Sequence, residues 1–225
     1  MQRPFDIEIA QLKEMLLHMA AAAEASVQNA VRALADRDTA LAEKVKNDDD
    51  MLDRLEMQVD KRAIDLLAMA PLATDLRTVA VAMKISHDLE RVGDEATAIA
   101  KRVIELNREP QLKEYVDIPR MARLATALLR SALDAFVHQR PDQARLIVPA
   151  DDEVDQLHRQ LNRELTRLME LDRANVRRGL NLIVVIKRLE RVADHATNIA
   201  EEVVYLHEAA DIRHADHAPK PDGSA

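Results

Sequence analysis

Ile85-Ser86-His87-Asp88-Leu89-Glu90-Arg91-Val92-Gly93-Asp94-Glu95-Ala96-Thr97-Ala98-Ile99-Ala100 aligns with Val185-Ile186-Lys187-Arg188-Leu189-Glu190-Arg191-Val192-Ala193-Asp194-His195-Ala196-Thr197-Asn198-Ile199-Ala200 at a constant offset of 100 residues. Leu, Glu, Arg, Val, Asp, Ala, Thr, Ile and Ala match in place. Leu89, Val92, Ala96, Ile99 and Val103 recur at three and four, and so do Leu189, Val192, Ala196, Ile199 and Val203. That is the period of one buried helical stripe. Gly93, Ala193, Ala100 and Ala200 are small enough to admit a neighbouring helix. Upstream, Asp49-Asp50-Met51-Leu52-Asp53 resembles Asp151-Asp152-Glu153-Val154-Asp155. Two matched stretches in each half identify an internal duplication.

Working outward, the helical period covers almost the whole chain. Six helices are expected, over 5–34, 39–69, 74–106, 119–138, 142–171 and 173–210. Asp36 to Thr39 supplies a turn and an N-cap. Pro71 ends the second helix, because proline lacks a donor and clashes inside a helix. Thr74 is the expected cap of the third. Asn107-Arg108-Glu109-Pro110 reads as a linker. Pro119 suits the first turn of the fourth helix, and Pro149 bends the fifth. Met57, Met69, Met83 and Met169 are expected to fill core gaps. The fold class is therefore all-α, three helices plus three. The first unit is expected over 1–107, a linker over 108–117, the second unit over 118–210 and a disordered tail over 211–225.

Composition agrees. Aromatics make up 2% and Gly only 3 of 225 residues, which suits close-packed helices rather than a β-sandwich rich in hairpin turns. Cys is absent, which excludes disulfides, thiolate metal sites and a cysteine nucleophile. The net charge of −8 argues against a general nucleic-acid binder. No stretch has the build of a signal peptide or a membrane span, so a cytoplasmic location is expected. No Gly-rich phosphate loop and no serine elbow occurs, so no enzymatic activity is expected.

Glu90 and Asp94 lie off the buried stripe, four residues apart on one helical face, and so do Glu190 and Asp194. Like charges at that spacing cost helix stability, and a bound cation would reverse the sign. Asp49 and Asp53, and likewise Asp151 and Asp155, offer a matching face on the preceding helix, which Glu56 and Asp60 extend in the first half. If the two helices are antiparallel neighbours, four carboxylates converge in each half. Such a set suits Fe, Mn, Mg or Zn. Asn198 and His195 are further candidates at the second site. The competing reading is that these carboxylates are simply solvated or paired with Arg91 and Arg191. Asp155 and His158 share the carboxylate-x-x-His spacing of di-iron bundle enzymes, but in a single copy. A helical-bundle metalloprotein of that type is the alternative reading.

Asp88-Leu89-Glu90-Arg91-Val92-Gly93-Asp94, Leu189 to Glu201, and Pro71-Leu72-Ala73-Thr74-Asp75-Leu76-Arg77 closely resemble the PhoU family of phosphate-uptake regulators, and the resemblance spans 5–208. It implies two three-helix bundles related by a pseudo-twofold. It also implies metal at Asp49, Asp53, Glu90 and Asp94, and at Asp151, Asp155, Glu190, Asp194 and Asn198. The family usually has Asn where this chain has Ala98, so the first site is expected to differ from the second. The implied role is an adaptor between the ATPase of the phosphate importer and the phosphate-sensing histidine kinase, suppressing starvation signalling and meeting the membrane only through those partners. Two-bundle helical adaptors often dimerise, so a homodimer is expected.

Overall fold

The structure, a computed structural model, describes residues 3–69 and 72–208. Pro71 and the tail 211–225 lie outside the described residues, as do the last two positions of the expected sixth helix. Six helical rods run through the described residues, two of them interrupted once. The eight segments are α1 (Pro4–Ala35), α2 (Thr39–Asn47), α3 (Asp50–Leu67), α4 (Ala73–Leu106), α5 (Asp117–Val137), α6 (Pro141–Ala150), α7 (Asp152–Leu171) and α8 (Val176–Glu208). A 3-10 turn over Arg173–Asn175 precedes α8. The fold is all-α, two three-helix bundles in tandem.

The two interruptions fall on the paired acidic runs. In the first half, Asn47 to Asp50 are poor helix formers carrying adjacent like charges, and the chain turns at Asp48-Asp49. In the second, Pro149 lies inside α6 and removes a donor, and the chain breaks two residues on, at Asp151. The α1–α2 and α5–α6 turns are also equivalent. The amide of Asp38 donates to the Ala33 carbonyl at 2.9 Å, and that of Arg140 to the Ala135 carbonyl at 2.9 Å. Each is a six-to-one closure around a left-handed residue, Arg37 or Gln139, both at φ 55°. Asp38 caps α2 by accepting from the Leu41 amide. α4 starts at Ala73 with Leu72 in the cap position, so Thr74 is already helical and does not cap it.

The duplicated stripe forms the core. Leu89, Val92, Ala96, Ile99 and Val103 on α4 and their five counterparts on α8 are all 0% exposed. α4 packs on α1, α2, α3 and α8, while α8 packs on α4, α5, α6 and α7. The two helices run antiparallel. Lys84 meets Glu202, Asp88 meets His195, and Glu95 meets Arg188. Glu95 is 4% exposed and also takes Arg191 at 3.3 Å, while Arg188 stands at 3.0 Å. α1 and α5 are antiparallel as well, with Lys13 donating to the Val137 carbonyl at 3.0 Å and Glu24 paired to Arg130. The two halves therefore share one continuous core.

Side-chain size has been exchanged between the halves at one position. A Cβ on Gly93 would stand 2.3 Å from Leu52 Cδ1. The aligned positions in the second half hold the next residue up and the next one down, Ala193 and Val154, both buried. Two of the methionines expected in the core are not there. Met57 and Met69 are 70% and 57% exposed, because they sit on the outer face of α3 and beyond its end. Met83 packs partly buried against the core, and Met169 lies against Gly179.

Candidate metal centres

The first centre lies in the groove between α3 and α4. Asp53 and Glu56 are three apart on α3, and His87, Glu90 and Asp94 follow at three and four on α4, so each set shares a face. Glu56, His87 and Glu90 each offer a ligand atom, all within 4.8 Å of one another. His87 Nδ1 is 3.2 Å from Glu56 Oε1. Oε2 of Glu90 is buried and accepts no hydrogen bond, although Arg91 Nε stands 3.5 Å from it. Burial raises the Glu90 pKa first. Asp94, Glu56 and Asp53 add to the rise, and Arg91 opposes it. Asp49 also reaches α4, accepting a hydrogen bond at 2.9 Å from Thr97 Oγ1, one turn beyond Asp94.

The second centre lies between the start of α7 and the middle of α8. Its four expected carboxylates do converge electrostatically. Burial and then the charges of Asp194, Asp155, Glu190 and Asp152 push Asp151 up to about 6. Asp194 is raised by burial, then by Glu190, against the opposing Lys187 and His195. Oδ1 of Asp151 is buried without a partner. Two cations from the same helices reach into the site, Lys187 onto Glu190 and Arg159 onto Asp155 at 3.2 Å. Thr197, the counterpart of Thr97, donates instead to the Asp194 carbonyl within its own helix.

Of the nine expected ligands, the structure gathers Asp53, Glu90 and Asp94 in one groove and Asp151, Asp155, Glu190 and Asp194 in the other. Asn198 lines a third groove, with Met83, Lys84, His87, Asp88, Glu201 and Glu202, across the α4–α8 interface. His195 Nδ1 is 2.9 Å from Asp88 Oδ1, so that ring also faces α4. Glu56 was expected only to extend the acidic face, and His87 was not singled out from the sequence. His87 lies three residues before Glu90 and Glu56 three after Asp53, a spacing that places each on the carboxylate face. The repeat marks neither as a ligand, because the aligned positions hold Lys187 and His158.

A carboxylate oxygen that is buried, unpartnered and surrounded by like charge is the signature of a missing cation or proton. Asp151 Oδ1 is such an atom, while Glu90 Oε2 accepts no hydrogen bond and has only the Arg91 guanidinium 3.5 Å away. The donor sets therefore fit a metal, and they differ. Histidine with two glutamates suits a borderline ion such as Zn or Fe. Four carboxylates suit a hard ion such as Mg or Mn.

Comparison with known proteins agrees with this duplicated architecture. The family model for the PhoU domain matches twice, over residues 16–103 and 118–203. This chain belongs to the PhoU family. The phosphate-specific transport system accessory protein PhoU homolog of Pseudomonas aeruginosa is 37% identical over 212 residues, covering 93% of this chain and 88% of that protein. The homolog from Aquifex aeolicus is 38% identical and covers 92% of this chain and 94% of its own length. The crystal structure of PhoU from Pseudomonas aeruginosa superposes with a TM-score of 0.86 at 36% identity, over 92% of this chain and all of that one. That of the phosphate transport system regulatory protein PhoU from Streptococcus pneumoniae also gives 0.86, at 31% identity, over 92% of this chain and 99% of that one. A role accessory to phosphate transport follows for this PhoU protein. No helix among the described residues is long and apolar enough to cross a membrane.

Proposed function

We propose that this PhoU protein is a cytoplasmic, non-enzymatic regulator of phosphate uptake and starvation signalling, acting as a metal-binding homodimeric adaptor between the importer ATPase and the sensor histidine kinase. The observation that carries the reading is the match in both halves to proteins named as transport accessories, over nearly the full chain. The buried oxygens of Glu90 and Asp151, which accept no hydrogen bond, support the metal-binding part. A bound ion would neutralise each groove and present a positive centre to a phosphate or carboxylate group of a partner. The di-iron enzyme reading is disfavoured by the bundle interior. The stripes from Leu89 to Val103 and from Leu189 to Val203 that face the bundle interior are wholly aliphatic, and the expected ligands lie off them.

The regulatory role is tested by deleting the gene and measuring transcripts of the phosphate-uptake genes. Derepression at high phosphate is expected, and unchanged repression would remove the assignment. The metal centres are tested by calorimetric titration of the full chain. His87→Ala should weaken Zn binding at one site by at least about tenfold and leave Mg or Mn binding at the other unchanged. Equal Zn affinity in both proteins would remove His87 from the ligand set.

A further inference from the structure

The exposed face of α7 and its counterpart on α3 have diverged in charge. Arg159, Arg163, Arg167 and Leu171 follow one another at intervals of four and form a single ridge along α7. Leu171 ends that ridge at 80% exposure. His158, Asn162, Thr166 and Glu170 form the next row, and the two rows line one shallow groove. The repeat places Met57, Lys61, Asp65 and Met69 on the matching ridge of α3, with Glu56, Asp60, Ile64 and Ala68 beside it. The α3 face is thus acidic and the α7 face basic. Ion pairing within the chain does not cancel the basic one. Arg159 is held by Asp155 at 3.2 Å, and Glu164, beside the ridge, is held by Lys113 at 2.5 Å. Arg163 and Arg167 have no carboxylate partner among the described residues, and Glu170 has no cation. At the turn into α8, Arg177 and Arg178 share Glu109, and Asp172 accepts from the Ala174 amide. With every pair set aside, Arg163, Arg167, Arg173 and one of Arg177 and Arg178 remain against Glu170 and Asp172, in a chain of net charge −8.

A ridge of side chains at intervals of four fits the groove of a second helix. Two guanidiniums one turn apart match two carboxylates one turn apart, and Leu171 offers an apolar anchor one turn further on. Nucleic acid is the poorer fit, because the chain as a whole is acidic. A membrane surface would need apolar side chains along the whole face. Here the second row is polar, and Leu171 stands only at the end. We propose that the α7 ridge binds an acidic amphipathic helix of a partner protein, with carboxylates on successive turns against Arg163 and Arg167 and an aliphatic residue against Leu171. The inference rests on the adaptor reading above and adds a surface and the chemistry of one partner. The α3 face, with the opposite balance, repels the same helix, so the two halves of the adaptor are not interchangeable.

The probe is a fluorescein-labelled helical peptide of about 20 residues, with Glu on three successive turns at intervals of four and Leu one turn beyond. Fluorescence anisotropy of the peptide, titrated with the full chain at low salt, should show saturable binding. In about 0.5 M salt, where exposed charges more than ~4 Å apart are screened, binding should weaken at least about tenfold. A peptide with Gln in place of each Glu, or a protein carrying Arg163→Glu and Arg167→Glu together, should each bind at least about tenfold more weakly. Leu171→Asp should cost at least about threefold. Lys61→Glu, at the matching position on α3, should leave binding unchanged. Circular dichroism at wild-type helicity shows that each variant is folded, and the Gln peptide is a test that needs no variant. Glu and Gln peptides bound equally, or full binding by the doubly reversed protein, overturn the proposal. Tighter binding to vesicles of about one-third anionic lipid than to the peptide, lost in the same double variant, also overturns it and gives the ridge to a membrane. Each of these failures leaves the adaptor reading standing, since the transcript measurement tests that separately.

Discussion

Asp49 accepts a hydrogen bond from Thr97, whereas its counterpart Asp151 keeps a buried oxygen with no partner. Glu190 is gripped by Lys187 from its own helix at 2.5 Å, whereas Glu90 has the ring of His87 one turn before it and a looser contact with Arg91 at 3.5 Å. One duplicated motif thus sits in two chemical settings. The first half supplies a nitrogen ligand, relieves Asp49 by a hydroxyl and sets Arg91 against Asp94 at 2.9 Å. The second supplies only oxygens, and uses Lys187 and Arg159 as built-in counterions. Duplication preserved the helical face that carries the charge. What diverged is the means of neutralising it.

On the shared α4–α8 face, Arg188–Glu95 and Asp88–His195 are pseudo-symmetric pairs. Replacing both Arg188 and Arg191 with Ala strands the buried Glu95 and should cost ~3 kcal/mol in denaturant unfolding. Asp88→Asn keeps a hydrogen-bonding group at a less buried position and should cost about 1 kcal/mol or less. Equal costs would show that the two pairs are energetically equivalent despite their different burial.

Next in size is the packing exchange. Gly93→Ala gains helix propensity but pushes its Cβ into Leu52, and a net loss of ~1 kcal/mol is expected. Adding Leu52→Val recreates the size pairing of the second half and should recover most of that loss. A Gly93→Ala protein more stable than wild type would show that Leu52 moves aside freely.

The unpartnered Asp151 sets a pH dependence. Its carboxyl is pushed up to about 6 in the folded chain, from the usual 3.8. The folded state therefore holds the proton more tightly than the unfolded one, and stability falls as pH rises from 4 to 6 and stays lowered above that. In metal-free protein the loss should be ~1 kcal/mol, less than the full shift would give because the group is partly exposed to solvent. Wild type minus Asp151→Asn, measured by thermal unfolding across that range, isolates the effect. A flat difference would mean that the site is already neutralised by its own lysine and arginine.

The smallest expected effect separates the two left-handed turns. Gln139→Gly removes backbone strain and should stabilise by up to ~1 kcal/mol. Arg37→Gly should gain little or nothing. Its guanidinium donates to the Asn107 and Glu109 carbonyls at 3.0 and 2.6 Å, and that tie to the linker is lost.

Much of this was legible in the chain. The stripe from Leu89 to Val103 and its copy on α8 read directly as core, because burial selects the helical period residue by residue. Glu90, Asp94, Glu190 and Asp194 were legible as off-stripe carboxylates for the same reason. Asn198 and His195 are candidates for the second site in the sequence, Asn198 also by the family resemblance. Both face α4 instead, which depends on how α8 is rotated against its neighbour. His87 and Glu56 were present at the right spacing, but only the groove between α3 and α4 brings them together. The bend at Asp48-Asp49 was read as continuous helix, since a two-residue interruption hardly disturbs a three-four pattern.

The sequence alone determined the helical class, the duplication and the set of carboxylates kept off the core, because each follows from local periodicity and an internal alignment. Tertiary structure decided which carboxylates meet, which are relieved by Thr97 or Lys187, and which oxygens stay unpartnered. Those outcomes depend on the register and rotation of one helix against another. A shift of a few ångströms changes a hydrogen bond or an ion pair without altering the pattern along the chain.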